Sequence, residues 1–261
     1  MGCPAILAQN LAKYFPPAKP GWRALWQPFA RQTVSALTEV NFCIERGESV
    51  ALVGANGAGK STLLRVLATL LYPTSGHAQI CGMDVVTKAA FARGKIGYEA
   101  GGEQAFYGRL TGRENLRLFA TLNDLPRREF ADRIQLLSDL LELSLFLDQQ
   151  TRTCSTGMLQ RLGLARALLH SPEVLLLDEP TRSLDSASAA AFRSYLKNES
   201  TRRGITVLFA SHAISEVEYL ADRVIVLHHG NLKAFDSPRT LCTATRTSHL
   251  EEAIRSFSSS G

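Results

Sequence analysis

Long apolar runs are missing from these 261 residues. No stretch approaches the roughly 18–20 consecutive apolar residues that a membrane-spanning helix needs, so work at a membrane requires something else to hold the chain there. Cysteines are few and scattered: Cys3, Cys43, Cys81, Cys154 and Cys242 form no C-x-x-C pair. That spacing argues against a metal site or a disulfide framework and fits a reducing cytoplasm. The opening segment, Met1 to Leu7, has neither the basic start nor the apolar core of a secretory signal. Dense Lys/Arg clusters are lacking too. The formal net charge of +5 is spread along the chain, which argues against a nucleic-acid partner. No internal repeat occurs, and only the Ser-rich last few residues look frayed.

The remainder describes a globule. Hydrophobic residues make up 45% of the chain, enough to bury a full core. One segment dominates: Gly54-Ala55-Asn56-Gly57-Ala58-Gly59-Lys60-Ser61-Thr62 fits G-x-x-x-x-G-K-[ST]. The apolar run Ser49–Val53 before it reads as a buried strand, and Thr62 to Ala68 after it as a helix. Glycines at 54, 57 and 59 let the backbone turn so that successive N–H groups face phosphate oxygens, beside the positive end of a helix. Lys60 neutralises the β- and γ-phosphates in such a loop, and the Ser61 hydroxyl ligates Mg²⁺. The segment predicts a site for a nucleoside triphosphate.

Strand-like and helical stretches alternate around it. Thr33 to Glu45 reads as a strand pairing with the opening segment, and His77 to Val86 alternates like an edge strand. Arg113 to His170 is helical in pattern. Strands return at Val174–Leu177 and Ile205–Ala210, flanking a helix from Ser186 to about Arg202. A last strand, Val224–Leu227, precedes a turn at His229-Gly230-Asn231. Strands, a helical block, then strands again predict a parallel α/β core carrying an inserted helical lobe.

Val174 to Asp178, followed by Glu179 and Pro180, is an apolar run ending in two carboxylates. Ligands of parallel sheets bind at the strands' carboxyl ends, which suits Asp178 to Mg²⁺ and Glu179 to polarising a water. His212 also follows an apolar strand and is placed to meet a γ-phosphate. Ser155 and Thr156 are natural caps, and Gly157 admits close backbone approach, before the leucine-rich helix read from Leu159 onward, whose N-terminus can receive an anion or simply close a core helix.

Together these segments resemble the nucleotide-binding subunits of ABC transporters, over almost the whole chain and in the family's order. Gly54–Thr62 is similar to Walker A, and Val174–Asp178 to Walker B with Glu179 as the catalytic glutamate. Ser155-Thr156-Gly157-Met158 stands where the signature motif L-S-G-G-Q belongs. Ser183-Leu184-Asp185 matches the D-loop, and His212 the switch histidine. Tyr14 resembles the aromatic residue that stacks on adenine.

The resemblance implies an α/β fold: a P-loop NTPase core with an antiparallel β subdomain and an inserted helical subdomain. The expected division is a single ABC-type domain over 1–261, with core at about 1–100 and 172–240, helical subdomain at about 101–171 and tail at 241–261. It implies ATP and Mg²⁺, with Glu179, His212 and Lys60 catalytic and Ser61 and Asp178 on the metal. Expected nucleotide contacts are Tyr14, Gly54, Ala55, Asn56, Gly57, Ala58, Gly59, Lys60, Ser61, Thr62, Ser155, Gly157 and Asp185. Two such subunits, identical or closely related, pack head to tail, each signature helix closing on its partner's ATP. They drive separate transmembrane permease subunits, so membrane contact is indirect and the location peripheral on the cytoplasmic face. The run from Arg109 to Leu116 and the signature helix resemble export-type subunits.

Other ABC ATPases fit less well. Those acting on nucleic acid usually carry coiled coils or two cassettes, and 261 residues hold one cassette and neither extension. A non-hydrolysing switch is disfavoured by Glu179. The chain departs from the family pattern in three places. Thr156 replaces the first signature glycine, where it can still cap the helix, and Met158 replaces the signature glutamine. Direct spacing puts Gly101 where a glutamine normally senses Mg²⁺ and contacts the permease, with Glu103 or Gln104 as substitutes in a remodelled loop. The segment between Phe15 and Thr33 carries Trp22, Trp26 and Phe29 at helical spacing. These rings either brush a membrane or permease or cover a sheet edge of their own subunit; prolines at 16, 17, 20 and 28 favour the latter.

Overall fold

A computed structural model describes residues 3–16, 34–100 and 106–259. The Trp-containing segment and the residues Gly101, Glu103 and Gln104 lie outside the described residues.

Alternation organises the central sheet. The strands β3 (Ser49–Val53), β7 (Val174–Asp178) and β8 (Thr206–Ala210) are apolar almost throughout. Val50, Leu52, Val174 and Leu176 pack into one core, while Ala51, Val53, Leu175 and Leu177 pack into another. Each strand is therefore buried on both faces, which is why it reads as a continuous apolar run. With β6 (Ile96–Glu99), β9 (Arg223–His228) and β10 (Asn231–Asp236) these strands form a six-stranded sheet in the order β10-β9-β3-β8-β7-β6. It is parallel except for β10, which pairs antiparallel with β9.

A second, four-stranded antiparallel sheet is built from β1 (Ile6–Phe15), β2 (Val34–Ile44), β4 (Ser75–Ile80) and β5 (Met83–Asp84) in the order β2-β1-β4-β5. The predicted edge strand from His77 to Val86 is thus a tight hairpin. Cys81 and Gly82 both take positive φ, turning β4 back into β5, and β4 itself is interior.

Helices fill both faces of the parallel sheet. They are α1 (Lys60–Leu67), the short α2 (Ala89–Arg93), α3 (Gly112–Leu122), α4 (Arg127–Leu141), α5 (Thr156–Leu168), α6 (Ser186–Arg203), α7 (Ile214–Leu220), α8 (Pro238–Thr245) and α9 (Leu250–Ser259). Three of them, α3 to α5, run between β6 and β7. A capping box starts α3, with Thr111 accepting from Glu114 N while the Glu114 carboxylate accepts from Thr111 N at 2.8 Å. β6 lies close against α5 because Gly97 has no side chain; a Cβ there would collide with the Ala167 carbonyl oxygen. Beyond the turn at His229, the chain continues as β10, α8 and α9, with Leu241, Leu250 and Ala253 buried in the main core.

Candidate active site

Parallel strands place their carboxyl ends along one edge, and three of them carry the predicted chemistry there. The phosphate loop leaves β3, Glu179 follows β7, and Ser211 and His212 follow β8. Asn56, Lys60, Ser61, Thr62, Asp178, Glu179 and His212 line one cleft of about 1060 Å³.

The loop is shaped by its glycines. Gly54, Gly57 and Gly59 have φ of 153°, 80° and 107°, conformations that L side chains avoid. The Ala58 carbonyl is taken by Gly230 N at 3.0 Å, and Ala58 N donates to Ala55 O at 3.1 Å, so the loop is braced before any ligand arrives. Lys60 Nζ donates to Gly54 O at 2.7 Å and Ala55 O at 3.2 Å, with His212 Nε2 3.5 Å away. Burial pulls the Lys60 ammonium below the usual lysine range, opposed by the carboxylates of Glu179 and Asp178.

Glu179 sits in a strained backbone, with φ of 54°. A non-glycine residue there costs roughly 1–3 kcal/mol and persists only when its surroundings hold it. Its N–H donates to Ala210 O at 3.0 Å, while its carbonyl accepts from Gln160 Nε2 at 2.9 Å. Burial pushes the Glu179 carboxyl above the ordinary carboxylate range. Its Oε1 is buried without a hydrogen bond, and His212 Nε2 stands 3.6 Å away. His212 Nε2 is in turn 3.1 Å from Asn56 Oδ1.

Other predicted residues lie elsewhere. Tyr14 is on β1 opposite Ser35, its N–H bonded to Thr74 Oγ1 at 3.1 Å, and is not among the residues lining the cleft. Ser155 is the N-cap of α5, accepting from Met158 N at 3.3 Å. Thr156 is the first helical residue, so the cap predicted for either residue belongs to Ser155 alone. Met158 answers with its sulfur, 3.5 Å from Ser155 N, at the position where a capping box uses a glutamate or glutamine. Gly157 packs beside the Ser183 carbonyl. Asp185 caps α6 through Ala187 N and Ser188 N and pairs with Arg161 at 2.7 Å. Its bonds to Ser188, with Arg161 beside it, hold its carboxyl down at about 2.

Sequence reasoning passed over two buried residues. Gln160, one turn into α5, bonds the backbone after β7. Glu216, 1% exposed, accepts from Ser211 Oγ at 2.6 Å and Thr181 Oγ1 at 2.9 Å, tying the His212 loop to the Glu179 turn. A polar residue one turn beyond a capping serine was the only signal for Gln160; nothing marked Glu216 in an ordinary amphipathic helix.

A phosphate loop at a β3–α1 junction, facing carboxylates at the end of β7, the next parallel strand but one, defines a P-loop nucleoside triphosphatase core. Within that class the match is specific. The ABC transporter family profile covers residues 37–182, and the chain belongs to that family of ATP-hydrolysing subunits. It is 40% identical over 202 residues to the ABC transporter ATP-binding protein NatA of Bacillus subtilis (strain 168), spanning 77% of this chain and 82% of that one. It is 38% identical over 202 residues to the O-antigen export system ATP-binding protein RfbB of Klebsiella pneumoniae, covering 77% of each. Against the probable multidrug ABC transporter ATP-binding protein YbhF of Escherichia coli (strain K12), identity is 37% over 207 residues, but the chain spans only 35% of that longer protein. A dimeric post-hydrolysis cassette, MJ0796 bound to ADP and Pi, superposes with a TM-score of 0.76 at 27% identity, covering 89% of this chain and 98% of that one. No helix among the described residues is long and apolar enough to cross a membrane.

Proposed function

We propose that this chain is the ATP-hydrolysing subunit of an ABC exporter, pairing with a second copy or close relative around two ATP molecules and driving a separate transmembrane permease from the cytoplasmic face. The observation that carries the hydrolytic part is the half-buried Glu179 carboxyl, which lines the same cleft as Lys60 and His212 and has one oxygen that accepts no hydrogen bond among the described residues. A raised carboxyl is a stronger proton acceptor once ionised, which suits it to the water that attacks the γ-phosphorus. His212, between Asn56 and Glu179, steadies the terminal phosphate. The Lys60 ammonium leaves the loop carbonyls it now occupies for the phosphates of the bound nucleotide. The Ser61 hydroxyl and the Asp178 carboxylate face one cleft and form a hard-oxygen donor set suited to Mg²⁺ beside a triphosphate; when bound, the ion neutralises phosphate charge. Ser155, Gly157 and Asp185 are not among the residues lining this cleft, although Thr156 is, and we assign their nucleotide contacts to the partner's ATP across a dimer. Export is favoured by the resemblance to the O-antigen export protein. We assign residues 101–171 to the helical subdomain and Tyr14 to the adenine end on the family pattern.

The test is steady-state ATP hydrolysis by the purified chain beside Glu179→Gln, together with mild-detergent co-purification from native membranes. Turnover lost in Glu179→Gln with ATP binding retained, and recovery of a polytopic partner, are expected. A hydrolysing Glu179→Gln variant, or a soluble dimer carrying nucleic acid, overturns the reading.

A further inference from the structure

We infer that Gln160 is a positioning residue for Glu179, fastening the carboxylate's strained backbone to the signature helix; this rests on the hydrolytic reading above. The Gln160 side chain is buried, 6% exposed, one turn into α5. Its amide nitrogen donates to Glu179 O at 2.9 Å and Pro180 O at 3.1 Å, and its Oε1 accepts from Ser183 N at 3.1 Å. Two converging carbonyls and one N–H are matched by the two donors and one acceptor that only an amide presents. The same bonds span the turn in which Glu179 takes φ of 54°, clamped on its other side by Ala210 O. Two further contacts weld the start of α5 to this segment: Gly157 lies against the Ser183 carbonyl, and Arg161 Nη2 bonds Asp185 Oδ2 at 2.7 Å and Ser188 Oγ at 3.1 Å. A displacement of α5 therefore reaches this segment at three places, and the Glu179 carbonyl itself through the Gln160 side chain.

Gln160→Glu is nearly isosteric and replaces the two-donor group with an acceptor facing two carbonyls. The full chain carrying it is compared with wild type, with Glu179→Gln and with the double variant, by ATP turnover and by fluorescent-ATP affinity in the absence of Mg²⁺. Turnover falling at least about tenfold, affinity staying within about twofold, and a double variant no slower than Glu179→Gln alone are expected, because both changes remove one function. Unchanged turnover in Gln160→Glu, affinity falling in step with turnover, or a multiplicative loss in the double variant overturns the inference. If Gln160→Glu does not fold, Gln160→Met carries the same comparison without the added charge. Wild type and Glu179→Gln hydrolysing alike would instead sink the hydrolytic reading itself.

Discussion

At the scale of single residues, the site sets one buried charge, Lys60, against half-buried carboxylates at 178 and 179, held by short-range geometry. Lys60 is 7% exposed and bonded to two loop carbonyls, and on the proposed reading its removal costs the nucleotide a cationic partner. Charge-assisted bonds of this kind are worth about 1.5–3 kcal/mol, which predicts that Lys60→Ala weakens ATP affinity by about 10- to 100-fold in equilibrium titration. Burial raises the Glu179 carboxyl, so the acid limb of turnover against pH should lie above its ordinary value of 4.5 and vanish in the residual activity of Glu179→Gln. A limb at or below the ordinary carboxylate range argues against Glu179 as the base. The placement of Lys60, Ser61, Asp178 and Glu179 along one cleft was legible because it is locally encoded: the glycines that bend the loop and the run that makes β7 are contiguous with the residues they position. Gln160 and Glu216 were not legible. Their partners lie 19 to 35 residues away, except Ser211, and no local pattern reports a hydrogen bond made after folding.

Elements are joined by close approaches and a few ion pairs. Gly97 carries the contact between β6 and α5, where any Cβ meets backbone that cannot rotate away. Gly97→Ala should destabilise the fold by about 3 kcal/mol in denaturant titration, the upper end for overpacking, because a whole helix must move. Near-wild-type stability would mean that α5 slides freely on the sheet. Glu173, just before β7, pairs with Lys95 at 2.5 Å and Arg46 at 2.7 Å, and these partners hold its carboxyl down to about 2. Its stabilising contribution is complete above its ordinary value of 4.5 and disappears as pH falls from there through about 2. Glu173→Gln should therefore lower stability by on the order of 1 kcal/mol at neutral pH, discounted because the pair is partly exposed, and flatten the acid limb of stability against pH. The parallel strands were readable as apolar runs. β10 was not: it is half-exposed, and its register with β9 shifts between Leu232 and Ala234, which breaks the alternation that marks a strand. The terminal helices did leave a trace, in Ser237-Pro238 at the start of α8 and in Leu250, Ala253, Ile254 and Phe257 along α9.

For the whole molecule the question is whether one chain holds a complete site. At the N-terminus of α5, Thr156 borders the cleft that Lys60 and Glu179 share, while Ser155 and Gly157 on either side of it are not among its lining residues. If two copies pair about a two-fold axis, each phosphate loop is completed by the other copy's α5, and the defects of two different variants segregate unequally. In Lys60→Ala the phosphate loop is lost and α5 is intact. In Gly157→Asp the loop is intact, but a carboxylate stands where the partner's phosphates are to be received, crowded against the Ser183 carbonyl. Each variant alone has two dead sites. A mixed dimer has one site that combines both defects and one that combines neither, so mixing restores what neither chain has. With random pairing, half the dimers are mixed and each carries one working site of two, giving about one quarter of wild-type turnover if sites act independently. Steady-state ATP hydrolysis by a 1:1 mixture, exchanged through the dissociated state, reads this directly. Recovery toward one quarter supports composite sites. A mixture as inactive as its components means either that each chain must complete its own site or that one working site cannot turn over beside a dead one. Covalently tethering a wild-type chain to the Lys60→Ala/Gly157→Asp double variant separates those cases: both sites of that pair are defective in a composite arrangement, whereas the wild-type half stays active if each chain is self-sufficient.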